Sequence, residues 1–243
     1  MKVLLVRHGE TVQNKATIVQ GSDPTQGRLT EWGVRQAHLL AVALRNHAFD
    51  IAYCSPLERC VLTLAQILLE RPGERTLPLV FHNDLREVNL GVYQGRPRAE
   101  WNAAAGDNVA NYRAPQAESW HDLQLRVGAL LRHVILRGGH RNVLVVAHGG
   151  VNRGMVADVL GLSIGDLFAG QPRGLSQGNT CVNLLEFSPA GELTRLIVND
   201  TRHLQAEVPD AGPGLLWNFD RGDWEPAGAH RALADPLGEH TGP

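Results

Sequence analysis

The chain is short of cysteine, of charge imbalance and of long apolar runs. Its 243 residues hold three cysteines, Cys54, Cys60 and Cys181, an odd number in no metal-like spacing. That argues against a disulfide framework or a cysteine-bound metal and leaves reduced, buried thiols as the expectation. Lysine and arginine total 23 against 25 aspartate and glutamate, for a formal net charge of -2. Such a balance gives no electrostatic footprint for nucleic acid or anionic lipid, so neither partner is expected, although a local basic pocket is compatible with it. No apolar run approaches the ~18 residues of a membrane-spanning helix. Arg7 falls where a signal peptide would continue apolar, and the expected location is cytoplasmic. No internal repeat is visible.

What is present is ample apolar residue, 43% of the chain, enough for one large α/β domain. Strand and helix patterns alternate along most of it. An apolar run, Val3 to Val6, is followed by a polar, glycine-containing loop at 20–30 and a helix capped by Thr30, with Val34, Ala37, Leu40, Ala41 and Leu44 at helical spacing. Residues 49–54 read as a second strand. It leads into "SPLER", where Ser55 is expected to cap a helix, Pro56 to be its first residue and Glu58 to complete the capping box. Residues 77–81 read as a third strand, 96–118 as weak helix and loop suited to a lid, and 142–147 as a fourth strand before a helix at 151–160. "CVNLLEF" and "ELTRLIV" read as a hairpin. Residues 1–206 are expected to form the domain. Residues 207–243, richer in Pro and Gly, read as an extension anchored by Trp217 and Trp224, not a second domain.

This alternation predicts an α/β fold, a three-layer sandwich with a mostly parallel sheet flanked by helices. Ligands bind beyond the carboxyl ends of strands in such sheets. "KVLLVRHGETVQN" and "NVLVVAHGGVNR" both end an apolar run in His-Gly, so the order of elements brings Arg7, His8, Arg59 and His148 to one rim. Guanidinium groups grip a phosphoryl group through paired hydrogen bonds, and Gly149 with Gly150 would allow close backbone approach. Histidine can be the nucleophile of a two-step transfer. An acid for the leaving alkoxide is then required, with Glu87 favoured and Asp84 as its neighbour and competitor. His8, His148 and Glu87 could instead ligate a metal, but two arginines in the same pocket repel a divalent cation. A catalytically silent phosphate-binding module is the other rival.

"RHGET" with Asn14, "SPLER", "LREVNLGVYQG" and "AHGG" together resemble the histidine phosphatase superfamily, the phosphoglycerate mutase-like proteins, over roughly residues 1 to 200. The resemblance implies a mixed, mostly parallel α/β sandwich and a phosphohistidine intermediate on His8. Arg7, Arg59 and His148 would complete the phosphate pocket, with Glu87 as proton donor. Asn14, Gln20 and Gly21 would contact phosphate or substrate, and no metal or other cofactor is implied. The segment "REVNLGVYQG" is closer to the phosphatase branch than to the glycolytic mutases, so hydrolysis of a small phosphorylated metabolite is the expected activity and the mutase the alternative. A homodimer is the assembly considered.

Overall fold

The structure, a computed structural model, describes residues 1–71, 77–169, 176–208, 211–212, 214–218 and 223–227. Its eight strands are β1 (Lys2–Arg7), β2 (Ile51–Cys54), β3 (Leu79–Phe81), β4 (Asn142–Ala147), β5 (Val182–Phe187), β6 (Leu193–Asp200), β7 (Leu215–Asn218) and β8 (Asp223–Pro226). They form one mixed sheet in the order β3-β2-β4-β1-β5-β6-β7-β8. The pairs from β3 to β1 are parallel and those from β1 to β8 antiparallel. The parallel half is the one interleaved with helices in sequence, as right-handed crossovers require. The antiparallel half begins with the hairpin expected from "CVNLLEF" and "ELTRLIV".

Alternation along each central strand divides its side chains between two cores. Val3 and Leu5 of β1 pack with Val143 and Val145 of β4 on one face, beneath α5 (Trp120–Leu130) and α6 (Gly149–Val159). Leu4 and Val6 pack with Leu144 and Val146 on the other, beneath α2 (Glu31–Leu44) and α3 (Glu58–Leu69). The four apolar residues of β1 are all fully buried, which explains why their run is continuous and not alternating. The remaining helices are α1 (Val12–Lys15), α4 (Arg98–Ala105) and α7 (Ile164–Ala169). α2 starts as expected: Thr30 Oγ1 accepts from Gly33 N–H at 2.9 Å.

One local expectation is corrected and two are made specific. The helix after β2 starts at Glu58, three residues beyond Ser55, and its N-cap residue Leu57 makes no side-chain cap. Ser55 Oγ accepts from Leu57 N–H at 3.3 Å, ahead of the helix, and is shared with His148. The segment at 96–118 holds a defined eight-residue helix, α4, whose Trp101 packs edge-on against Trp120 at 6.3 Å between ring centroids. The extension beyond residue 207 contributes β7 and β8 to the sheet edge. Trp217 and Trp224 pair across that hairpin, and the burial expected of their side chains lies outside the described residues.

Candidate active site

β1 and β4 end side by side, Arg7 in register with Ala147, so the residues that follow, His8 and His148, emerge together at the carboxyl rim. Their rings meet edge to face, 5.2 Å between centroids. Both are buried. His8 N–H donates to Ala147 O at 3.1 Å, continuing the ladder one residue past the strand.

The protonation pattern of His8 follows from its partner. Its Nδ1 lies 2.7 Å from Gly9 O. A carbonyl can only accept, so Nδ1 carries the proton and Nε2 keeps its lone pair. Burial, then the Arg59 and Arg7 charges, hold His8 well below the usual histidine range, so it is a neutral imidazole at physiological pH.

His148 is wired differently. Arg59 Nε–H donates to its Nδ1 at 3.2 Å, so Nε2 carries the proton and donates to Ser55 Oγ at 2.8 Å. Burial and the Arg59 charge keep it neutral as well. Cys60 Sγ lies 3.4 Å from Nε2, behind the ring, its thiol pushed up to about 12 by burial. The three cysteines are free and buried, as expected.

Arg59 is 1% exposed. Besides His148 it donates to Gln26 O at 2.9 Å and to Gly21 O at 2.7 Å. Gly21 has φ +56, and a side chain there would collide with Gln94, so glycine is required where its carbonyl turns onto the guanidinium. Arg7 donates through Nη1 to Gln177 O. Its Nε, equally buried, meets no acceptor among the described residues. Desolvation brings Arg7 down to about 10, still a cation at neutral pH.

Glu87 accepts from Gly150 N–H at 3.0 Å, in the first turn of α6, and from its own neighbour Val88 N–H at 3.0 Å. A β-carbon on Gly150 would strike Glu87 Oε1 and the Trp120 ring, whereas one on Gly149 would have only ordinary contacts, 3.6 Å from Arg7 Nε. Of the two glycines after His148, Gly150 is therefore the one that must lack a side chain. Asp84 faces an adjoining polar cleft, lined also by Arg86, Arg126 and Glu87, and lies 3.8 Å from His82; unlike Glu87 it does not line the cavity that holds His8.

Arg7, His8, Asn14, Gln20, Gly21, Arg59 and Glu87 line one cavity of ≈ 60 Å³ together with Val19, Val88, Leu90, Arg98 and Trp120. At roughly 10–15 Å³ for each water-sized sphere, that is room for about four to six such spheres, the bulk of one tetrahedral phosphoryl group. Asn14 and Gln20 are joined at 3.1 Å, Nδ2 to Oε1. His148 and Gly149 stand behind this lining. Sequence reasoning misses Arg98 and treats Trp120 as packing; each is the sort of residue that only tertiary placement distinguishes from surface or core. Among the described residues, no three His, Cys, Asp or Glu side chains are grouped to hold a metal, and no helix is long and apolar enough to cross a membrane.

The chain is 34% identical over 169 residues to "Probable phosphoglycerate mutase GpmB" of Yersinia pestis, covering 67% of this chain and 76% of that one. It is 31% identical over 202 residues to "Probable 2-carboxy-D-arabinitol-1-phosphatase" of Arabidopsis thaliana, covering 79% of this chain but only 39% of the plant protein. The chain thus spans about two-fifths of that longer relative. Its fold superposes on the crystal structure of the alpha-ribazole phosphatase from Shigella flexneri with a TM-score of 0.70 at 24% identity, over 83% of this chain and 97% of that one. The sequence profile of the histidine phosphatase superfamily (branch 1) matches residues 3–200, and with the paired histidines and arginines in place, the chain belongs to that family.

Proposed function

We propose that the chain is a phosphatase of small phosphomonoesters working through a phosphohistidine on His8. The observation that carries this reading is the arrangement of His8 and Arg7. The Nε2 lone pair is left available by the Gly9 carbonyl, and beside it lies a buried Arg7 Nε–H with no acceptor among the described residues. A phosphate oxygen would satisfy that donor, which is otherwise costly to bury.

In the first step Nε2 attacks phosphorus. The N–P bond forms as the P–O bond to the alcohol breaks, and the departing oxygen takes a proton from Glu87. Water then attacks phosphorus and gives its proton to the Glu87 carboxylate. The N–P bond breaks, its electron pair returns to Nε2 and inorganic phosphate leaves. Arg7 and Arg59 stabilise the charge on the transferring group in both steps, and the Gly150 N–H aims Glu87. His148 acts by fixing Arg59 and by crowding His8 into one orientation.

The names of the two curated relatives refer to phosphate esters that also carry a carboxylate. Arg98, exposed at the cavity mouth beside Trp120 and Leu90, is the cation that would meet such a group. The GpmB likeness favours the mutase alternative on the same site.

Incubation with a panel of phosphomonoesters, followed by rapid quench, tests both. Hydrolysis with an acid-labile, base-stable phosphoryl group on His8 is expected. Glu87→Gln should slow alkyl esters by ~10²-fold or more and aryl esters far less. Efficient conversion of 3-phosphoglycerate to 2-phosphoglycerate with little free phosphate would instead establish the mutase. A label on serine would overturn the mechanism.

A further inference from the structure

The turn that leads into β5 touches the reactive strand end more intimately than a connector needs to. Four successive contacts converge on Arg7 and His8. Gln177 O accepts from the Arg7 guanidinium, and Cys181 O accepts from Arg7 N–H at 3.2 Å. Thr180 N–H and Asn179 Nδ2 both donate to the backbone carbonyl of His8, at 3.2 Å and 3.1 Å. Asn179 Nδ2 also donates to Asn14 Oδ1 at 3.1 Å, so one amide ties the nucleophile's main chain to a second residue of the cavity lining.

Two features show that this geometry is held against local preference. Thr180, fully buried, has φ +57, a left-handed conformation that a β-branched residue rarely adopts and that persists only where surrounding contacts dictate it. Its Oγ1 is fixed between Asn179 O at 2.7 Å and His203 Nε2 at 2.9 Å. From behind, Gln177 and Asn183 exchange two amide hydrogen bonds of 2.8 Å each. Asn183 Nδ2 reaches Leu5 O of β1, and Asn152 Nδ2 of α6 reaches Gln177 Oε1. Gly178 N–H is held by Asn199 Oδ1 at 2.7 Å. A buried amide network of this kind favours one arrangement; among its atoms only Asn152 Oδ1 and, beside it, His203 Nδ1 lack a partner among the described residues.

We propose that the 177–181 turn is a clip that sets the attack direction of His8, with Asn179 as its positioning residue. The inference rests on the phosphohistidine reading above. The His8 ring turns about its Cα–Cβ and Cβ–Cγ bonds, so the backbone that Asn179 and Thr180 hold through the His8 carbonyl sets where Nε2 can reach, and a displacement of about 1 Å at a nucleophile can cost ~10²-fold in rate. Asn179 does not line the cavity, so its loss should leave phosphate binding nearly intact.

The test is single-turnover formation of the phosphoenzyme by the full chain from p-nitrophenyl phosphate, compared with inorganic phosphate affinity. For Asn179→Ala, formation of phospho-His8 is expected to slow by roughly 30–100-fold while the Kd for phosphate stays within about 3-fold. Asn179→Ser, which keeps a hydrogen-bond donor, should recover part of the rate and guards against a folding defect in the alanine variant. If both variants phosphorylate at the wild-type rate, the clip is refuted and the phosphohistidine reading stands. A loss of rate matched by an equal loss of phosphate affinity would mark a merely structural role and also refute it. If the wild type itself gives no phosphohistidine while hydrolysing ester, the underlying reading fails and the clip with it.

Discussion

β1 and β4 lie in parallel register, Val6 opposite Val146 and Arg7 opposite Ala147, and each runs directly into a buried histidine followed by glycine. The two strand ends are nearly the same in sequence and in backbone. Their histidines differ because their ring nitrogens meet different partners. His8 commits one nitrogen to a backbone carbonyl and leaves the other lone pair available. His148 has both engaged, one by an arginine that can only donate and one by a serine hydroxyl. Similar strand endings thus yield one imidazole with a ring nitrogen to spare and one with both engaged. The division is made by residues from elsewhere in the chain: Ser55 and Arg59, about ninety positions before His148.

The sharpest way to break the comparison is to remove each ring in turn. His8→Asn should lower kcat by ~10⁴-fold or more and abolish the acid-labile phosphoryl label, since the group that forms the bond is gone. His148→Asn should cost about 10²-fold, leave the label detectable and weaken phosphate binding through the loosened Arg59. Quench-flow labelling of both variants decides it; a label that survives in His8→Asn and vanishes in His148→Asn would reverse the roles.

The glycines after His148 give a second, smaller contrast. Gly150→Ala forces a β-carbon into Glu87 and Trp120, and should cost roughly 10- to 100-fold on alkyl esters by misplacing the acid. Gly149→Ala has room and should stay within about 3-fold. Steady-state kinetics on an alkyl and an aryl ester would expose an error if both alanines behaved alike.

The smallest effect concerns what the histidines share. Burial and the neighbouring arginines hold both well below the usual range, and burial takes His203 down to about 4. Below about pH 6.5 the unfolded chain binds protons at these positions and the folded chain does not. Their contribution is therefore complete above that pH and is lost as pH falls toward the folded values, at about 1.4 kcal/mol per pH unit for each histidine. Urea midpoints should drop between pH 7 and pH 5, and His8→Asn and His148→Asn should each flatten the slope by one histidine's share. A wild-type midpoint that holds or rises over that interval would contradict their neutrality.

Much of the fold and of the candidate site is legible in local pattern. The apolar runs of β1 and β4 and the helical spacing after Thr30 locate the sheet and α2, because burial imposes those patterns locally. Ser55 is where local pattern misleads. "SPLER" satisfies the rule for a helix cap, and nothing within that stretch reveals a histidine ninety residues away that takes the hydroxyl. Glu87 can be preferred over Asp84 only through the surrounding residues. What separates them in space is the Gly150 amide, which grips Glu87, and the cavity of His8, which Glu87 lines and Asp84 does not.

By itself the sequence determined the α/β class, the parallel strands that end at one rim and the types of residue delivered there: two imidazoles, two guanidiniums and a carboxylate. Local periodicity and strand order suffice for that, since they depend only on which side chains must leave water. The tertiary structure alone decided which nitrogen of each histidine is committed, that Gly150 and not Gly149 must be bare, and that a turn from residue 177 onward, with Thr180 at positive φ, holds the main chain of Arg7 and His8. Apart from the Gly9 carbonyl beside His8, those outcomes depend on hydrogen-bond partners 63 or more positions apart, and a directional bond of about 3 Å leaves no trace in local sequence pattern.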